Sequence, residues 1–219
     1  MIWIFLLLFN CSAFYCQSSQ NSAKTNLEIF EENISSQLEK YFYYPGLDRD
    51  FQFVFMVNPS QGGGDKKPGE SEIKFINSLI KKTAESNKLK FSFLKNPEEL
   101  RLDSSYNLIV IQVYNLETKY TGFKKNKFLG EKTLIRNIKI KIGIEINSND
   151  KKFTLSDYIL SDYKDEINLD DYETLEASQY EFTKGIVPEV GVFERIIFPV
   201  ILITASAAAI ILFFSIRSK

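Results

Sequence analysis

Leu134–Asn147, LIRNIKIKIGIEIN, is the stretch whose reading decides the fold. Ile138, Ile140, Ile142, Ile144 and Ile146 alternate with Asn137, Lys139, Lys141, Gly143 and Glu145. A period of two puts the isoleucines on one side of a strand and the polar residues on the other, so one face is buried and the other meets water. Asn147-Ser148-Asn149-Asp150 supplies a tight turn, and Phe153 and Leu155 restore the apolar face on a returning strand. The result is an antiparallel hairpin.

Working back from the hairpin, Leu108–Tyr114 (LIVIQVY) and Phe51–Val57 (FQFVFMV) are apolar on both alternating sets, as strands inside a sheet are. Phe91–Leu94 reads as a short strand before a turn at Asn96-Pro97. Two helices separate these strands. Leu27, Phe30, Ile34, Leu38 and Tyr41 recur at three and four, with Thr25 or Asn26 to cap them and Pro45-Gly46 to end them. Ile73, Ile76, Ile80 and Ala84 do the same over Glu72 to about Lys88, with Ser71 as the cap. The fold class expected is α+β: a mixed or largely antiparallel sheet of about five strands with two to three helices, followed by one transmembrane helix.

Asn58–Glu70 (NPSQGGGDKKPGE) places three glycines before a helix, where bare amides can close round a phosphate. Gly69 is followed by Glu70 and Ser71 rather than by Lys and Ser or Thr, so the P-loop pattern is not met and a surface loop is expected. After Tyr114 the chain turns polar and basic. Lys119, Lys124, Lys125 and Lys127, interleaved with Tyr120, Phe123 and Phe128, read either as a patch for an anionic surface or as a solvated hairpin loop, the plainer of the two. From Asp157 onward acids dominate, and a solvated helix at about Leu169–Ala177 followed by a linker is expected. Neither Asp162 nor Asp165 starts the register of a calcium loop.

Ile196–Ile216 (IIFPVILITASAAAIILFFSI) carries no charge and is followed by Arg217, Ser218 and Lys219. At about 1.5 Å per residue a helix of this length matches a hydrocarbon core of roughly 30 Å. The positive residues beyond it place its C-terminal side in the cytoplasm. Ala205, Ser206 and Ala209 form a small-residue face at which another helix can approach closely. At the other end, Met1–Cys16 reads as a secretory signal peptide, with cleavage between Ala13 and Gln17. Its start has no Lys or Arg, and lipid attachment at Cys11 or an uncleaved anchor are the alternatives. The organisation expected is a signal peptide at 1–16, a polar leader at 17–26, an exported domain at 27–177, a juxtamembrane linker at 178–195, the span at 196–216 and a cytoplasmic tail at 217–219.

Composition narrows the function classes. The 219 residues carry a net charge of −1 with lysines and acids interspersed, which argues against a nucleic-acid partner. There is no histidine, which removes His-based triads, imidazole metal sites and the usual near-neutral general base. Both cysteines, Cys11 and Cys16, fall in the first sixteen residues, the expected signal peptide. No catalytic, cofactor-binding or metal-ligating residue is expected. In a eukaryotic host Asn33-Ile34-Ser35 would be a glycosylation sequon, on a helix where its use is doubtful.

The order of elements over Leu27–Leu155, with YNLIVIQV preceding RNIKIKIGIEINSNDKKFTL, resembles the small α/β domain of bacterial envelope-assembly proteins. These are the curli secretion lipoprotein family, the outer-membrane activators of penicillin-binding proteins and the N-terminal domain of TolB. The likeness is one of element order and carries no functional residue, and the C-terminal anchor departs from those families. It implies binding, pore assembly or regulation in preference to catalysis. The expectation is a single-pass protein of the cell envelope, its domain in the periplasm and its span in the inner membrane. It would serve as a non-enzymatic binding or assembly accessory, with the bilayer and an envelope protein, or a second copy through the span, as partners. The alternative is an anchored hydrolase or divalent-metal enzyme using the acidic 157–176 region.

Overall fold

Thr25 opens the first helix, and the computed structural model shows how. It describes residues 23–60, 69–95, 105–125, 132–148, 153–176, 179–189 and 198–217. Helix α1 (Asn26–Phe42) starts on a reciprocal capping box: Thr25 Oγ1 accepts from the Glu28 N–H at 3.2 Å, and Glu28 Oε2 accepts from the Thr25 N–H at 2.8 Å. Thr25 is therefore the cap, and Asn26 is left for another task. The second helix, α2 (Glu70–Ser86), begins two residues earlier than the spacing suggests because Glu72 reaches back to accept from the Gly69 N–H at 3.0 Å. It also ends earlier than Lys88, which turns into the left-handed region at φ 55°.

Strands β1 (Gln52–Pro59), β2 (Phe91–Phe93), β3 (Tyr106–Lys125), β4 (Lys132–Ser148) and β5 (Phe153–Asn168) form one mixed sheet in the order β2-β1-β3-β4-β5. β1 runs parallel to β2 and β3, and β3, β4 and β5 are antiparallel neighbours. The α+β class is borne out. So is the isoleucine alternation: Ile138, Ile140, Ile142, Ile144 and Ile146 are all buried, and they meet Ile109, Ile111, Phe53 and Phe55 beneath Ile29, Phe30, Ile34, Ile76 and Ile80 of the helices. The opposite face carries no described helix, and Tyr158 and Leu160 are exposed there.

Three expectations are corrected. β3 continues past Tyr114 to Lys125, so the basic stretch is largely strand rather than loop. β5 carries the acidic stretch as far as Asn168, and only a 3-10 turn (Leu169–Asp171) and one short helical turn, α3 (Tyr172–Leu175), stand where a longer helix was expected. The acids tolerate a strand because β4 answers them across the ladder, Lys139 opposite Asp162 and Arg136 opposite Asp165. Acids and hydroxyls on the core side of β5 also serve α1. Tyr41 donates to Asp157 Oδ2 at 2.9 Å, and Ser161 donates to Asn33 Oδ1 at 3.1 Å.

The third correction concerns the expected linker. Its first half is part of the domain, a strap over residues 180–187 containing the 3-10 turn Glu181–Thr183. Phe182 is buried, edge-on to Phe30 at 5.0 Å and tilted against Phe75 at 5.1 Å, and Tyr180 meets Phe75 at 5.3 Å. Helix α4 (Phe198–Arg217) follows.

Candidate functional site

β1 stops pairing with β3 at Pro59 opposite Val113, while β4 runs beside β3 as far as Lys132 opposite Lys125. The three-stranded ribbon of β3, β4 and β5 thus extends past the parallel half of the sheet. Two irregularities bend β3 there, between Val113 and Asn115 and between Tyr120 and Phe123. The second needs Gly122, whose φ of 146° lies where a side chain is rarely found.

A second apolar cluster of Tyr120, Leu134, Ile167 and Leu175 fills the distal end of the ribbon. Next to it lies a buried cation. Arg136 is fully buried and shares the core side with the isoleucines. Its Nε and Nη2 bind the two oxygens of Asp165 at 2.8 and 2.5 Å, and its Nη1 donates to Lys24 O and to Asn26 Oδ1, both at 2.7 Å. This bidentate fork, with Nη1 bonded twice more, is the arrangement in which a buried ion pair is tolerated. Asn26 passes the connection on, its Nδ2 donating to Thr183 O at 2.7 Å and to Tyr120 Oη at 3.1 Å. One network therefore joins the start of α1, the ribbon and the strap.

Tyr120 sits under that strap. Burial, above all, pushes its phenol up to about 12 from the ordinary 10, with the Glu176 carboxylate acting in the same direction and the Asn26 bond opposing it. Burial likewise raises Tyr41, assisted by its bond to Asp157. A raised phenol stabilises the fold fully below the unfolded value and loses that contribution as pH rises through the folded value. Thermal unfolding followed from about pH 9 to about pH 12 should show stability falling across that window, and Tyr120→Phe should flatten part of the slope. A profile identical in the variant would remove Tyr120 from the network.

Along the outer side of β3 runs a groove of about 940 Å³, with Tyr114, Glu117, Lys119, Lys141, Leu160 and Asp162 towards the open sheet face and Phe182, Lys184 and Ile186 towards the strap. Gly143 is buried here under the rings of Tyr114 and Tyr158, which lie 6.0 Å apart, and the Lys141 ammonium stands 5.2 Å from the Tyr114 centroid. Thr118 also lines the groove. It is 4% exposed, and its Oγ1 has no hydrogen-bond partner among the described residues.

Of the lysines singled out in sequence, Lys119 is ion-paired with Glu117 at 2.8 Å and Lys124 with Glu166 at 2.6 Å. Lys125 ends β3, and Lys127 lies outside the described residues, as do the segment 1–22 and most of the glycine-rich stretch. The two placed lysines thus carry their own counter-charges. Asp157 and Asp162, the acids considered for metal chemistry, point to opposite faces of β5. Among the described residues no three of His, Cys, Asp and Glu come together as a metal site. Asn33 of the sequon donates to Ile29 O at 2.8 Å and accepts from Ser161, so its amide is engaged.

Helix α4 is long and apolar enough to cross a membrane. Its window Pro199–Ile216 has a mean hydropathy of 2.4, and none of it is buried against the protein. Ala205, Ser206 and Ala209 are exposed, and Ser206 returns its hydroxyl to Leu202 O at 2.8 Å, so this face presents no free polar group. Sequence reasoning missed Arg136 and the strap. Both left a trace: Arg136 has the same parity as the buried isoleucines, and Tyr180 and Phe182 are aromatics in an otherwise acidic segment.

No protein-family model matches the sequence, and no curated protein matches it at a significant level. Among solved structures, the chain is similar to a Helicobacter pylori protein described as a neuraminyllactose-binding hemagglutinin homolog. The sequence identity is 15% and the TM-score 0.37, over 59% of this chain and 74% of that one. A likeness at that score carries no inference about this chain.

Proposed function

We propose that this is a single-pass membrane-anchored envelope protein whose exported domain binds other proteins rather than catalysing a reaction. The observation that carries the reading is α4, a fully exposed apolar helix following a domain that packs its own strap. An isolated helix of that composition in water would expose far more apolar surface than a soluble domain leaves uncovered. In a bilayer it costs nothing of the kind. Arg217 and Lys219 beyond the span support a cytoplasmic C-terminal side, and the signal-like start of the chain supports export of the domain to the periplasm. The inner membrane follows from the same orientation.

Binding is favoured over catalysis by where the surface features lie. The open sheet face, with its exposed Tyr158 and Leu160, and the groove beside β3 are broad and mixed in charge. Such surfaces suit a protein partner, whereas a small-molecule site converges a few polar groups in an enclosed apolar cavity. The element-order resemblance to envelope-assembly domains points the same way. The test is removal of the span. A chain ending at Glu189 should fold and leave the membrane, and it should lose the neighbours that the full chain cross-links in native membranes.

A further inference from the structure

We propose that the outer edge of β5 pairs with the same edge of a second copy of this chain, antiparallel and centred on Ile159, so that two sheets join into one across a two-fold axis. β5 has β4 on one side and no strand on the other among the described residues. An uncovered edge is a template for another strand. This one is exposed along its length, at every second residue from Thr154 to Glu166. Helix α1 stays on the core side, where Tyr41 and Asn33 bond to Asp157 and Ser161, and Asp157 itself remains exposed. The ladder to β4 keeps one register from Phe153 to Asn168, so no bulge turns the edge away.

The backbone groups aimed outward can be assigned. In an antiparallel ladder alternate residues turn both N–H and C=O away from their neighbour strand. The Tyr158 N–H is given to Asp157 Oδ1 at 2.7 Å instead of to β4, so the outward groups belong to the even-numbered residues. Their side chains lie on the open sheet face. A second strand therefore bonds to the backbone of Tyr158, Leu160 and Asp162 and meets their side chains there. Tyr158 is 48% and Leu160 61% exposed, an apolar pair with no cover in one chain.

The sequence of the edge selects the register. A two-fold axis normal to the sheet keeps like faces together only when it passes through a residue position. Through Ile159 it sets Tyr158 opposite the second copy's Leu160, twice, so four exposed apolar side chains meet. Ser156 then falls opposite Asp162 and Thr154 opposite Lys164, and no acid faces an acid. Centring on a charged residue sets it against its own copy, and centring on Ser161 sets Asp157 against Asp165. An axis through Tyr163 gives Asp162 the second copy's Lys164, but it lays Leu160 against Glu166 and Asp162 diagonal to its own copy. Through Tyr158 or Leu160, one of the apolar pair faces Ser156 or Asp162 instead. Two copies anchored in one bilayer share an axis along its normal. An axis normal to the sheet meets that condition with the helix-covered face, on which the strap packs, turned to the bilayer. The stretch from Glu189 to Phe198 can reach about 30 Å, enough to pass a helical layer about 10 Å thick. The inference concerns how copies join and stands whether or not the domain also recruits another protein.

The test uses the full chain in lipid nanodiscs and in detergent, with the chain carrying only Cys11 and Cys16 as the control. Ser156→Cys and Asp162→Cys, carried on differently tagged copies, should form a disulfide with each other when mixed and little when either is alone. Unlike positions face each other in this register, whereas like positions stand about 20 Å apart. Leu160→Pro removes one outward N–H and spares the ladder to β4. It should raise the dimer Kd measured by sedimentation equilibrium by about tenfold or more, with the circular dichroism unchanged. Leu160→Lys, a change at an exposed side chain, should act in the same direction. Three results would overturn the proposal: a chain monomeric throughout, equal cross-linking of like cysteines, or a dimer unmoved by both substitutions. A dimer lost in Ala205→Leu/Ala209→Leu yet indifferent to position 160 would assign self-association to the membrane helix and would overturn it too.

Discussion

Arg136→Ala should destabilise the domain by about 3–5 kcal/mol, because it leaves a carboxylate and an amide facing a cavity they were built to fill. Arg136 is fully buried, and Asp165 is 25% exposed at its side chain. Removing the cation takes the donor from Asp165 Oδ1, Asn26 Oδ1 and Lys24 O and leaves Asp165 Oδ2 with the Tyr163 hydroxyl at 3.1 Å. A loss of this size corresponds to a fall in melting temperature on the order of 10 °C for a domain of this length. Arg136→Met separates charge from volume. It keeps the stem, and it should lose less when combined with Asp165→Leu than when made alone, because the pair then leaves together. Thermal unfolding of the three variants measures this directly. Equal losses for Arg136→Met alone and for the double variant would mean that the ion pair contributes little beyond packing.

Phe182→Ala is expected to cost about 3–5 kcal/mol as a large-to-small change in the core, and its effect should be concentrated in the strap. Phe182 is held by Phe30, Phe75 and Tyr180 at 5.0–5.3 Å, all within aromatic contact range. The strap is also tied by the Tyr180 ring on Phe75, by Val187 against the second cluster and by hydrogen bonds that include Asn26 Nδ2 to Thr183 O and the Gly185 N–H to Glu176 Oε1 at 2.8 Å. Loss of the ring should therefore expose residues 179–189 to protease while the sheet stays folded. Hydrogen exchange should rise there first. Because Asn26 belongs to both the Arg136 network and the strap, Phe182→Ala and Arg136→Ala should not add. Uniform loss of protection over the whole domain would contradict a separately tied strap.

The sheet was legible where one period held and illegible where the period changed phase. Ile138–Ile146 keeps one parity and is read correctly from end to end. In β3 the positions that share the core side are Ile109, Ile111 and Val113, then Leu116, Thr118 and Tyr120. The shift from odd to even at Tyr114 is the bulge, and without it the polar continuation reads as a loop. β5 was hidden for a different reason. Its core-side positions include Asp157, Ser161 and Asp165, polar groups whose partners Tyr41, Asn33 and Arg136 come from other elements. Those partners are unknowable from local pattern, since a buried carboxylate in a strand looks like a solvated one until its cation is placed.

The surface features divided in the same way. The apolar span announces itself by length and composition alone, and the helix occupies the same stretch. The lysine cluster drew notice by density, but Lys119 and Lys124 each meet a carboxylate two positions away or across the ribbon.

Membrane anchoring of a binding domain through α4 is tested most directly by comparing the full chain with a chain ending at Glu189, both expressed in the native host and cross-linked in place. The full chain should sediment with membranes, resist extraction by salt, enter the detergent phase and yield a defined set of cross-linked neighbours. The shortened chain should be soluble and folded and should lose those neighbours. A full chain recovered from the soluble fraction, or a shortened one that keeps both the membrane and every neighbour, would contradict the account.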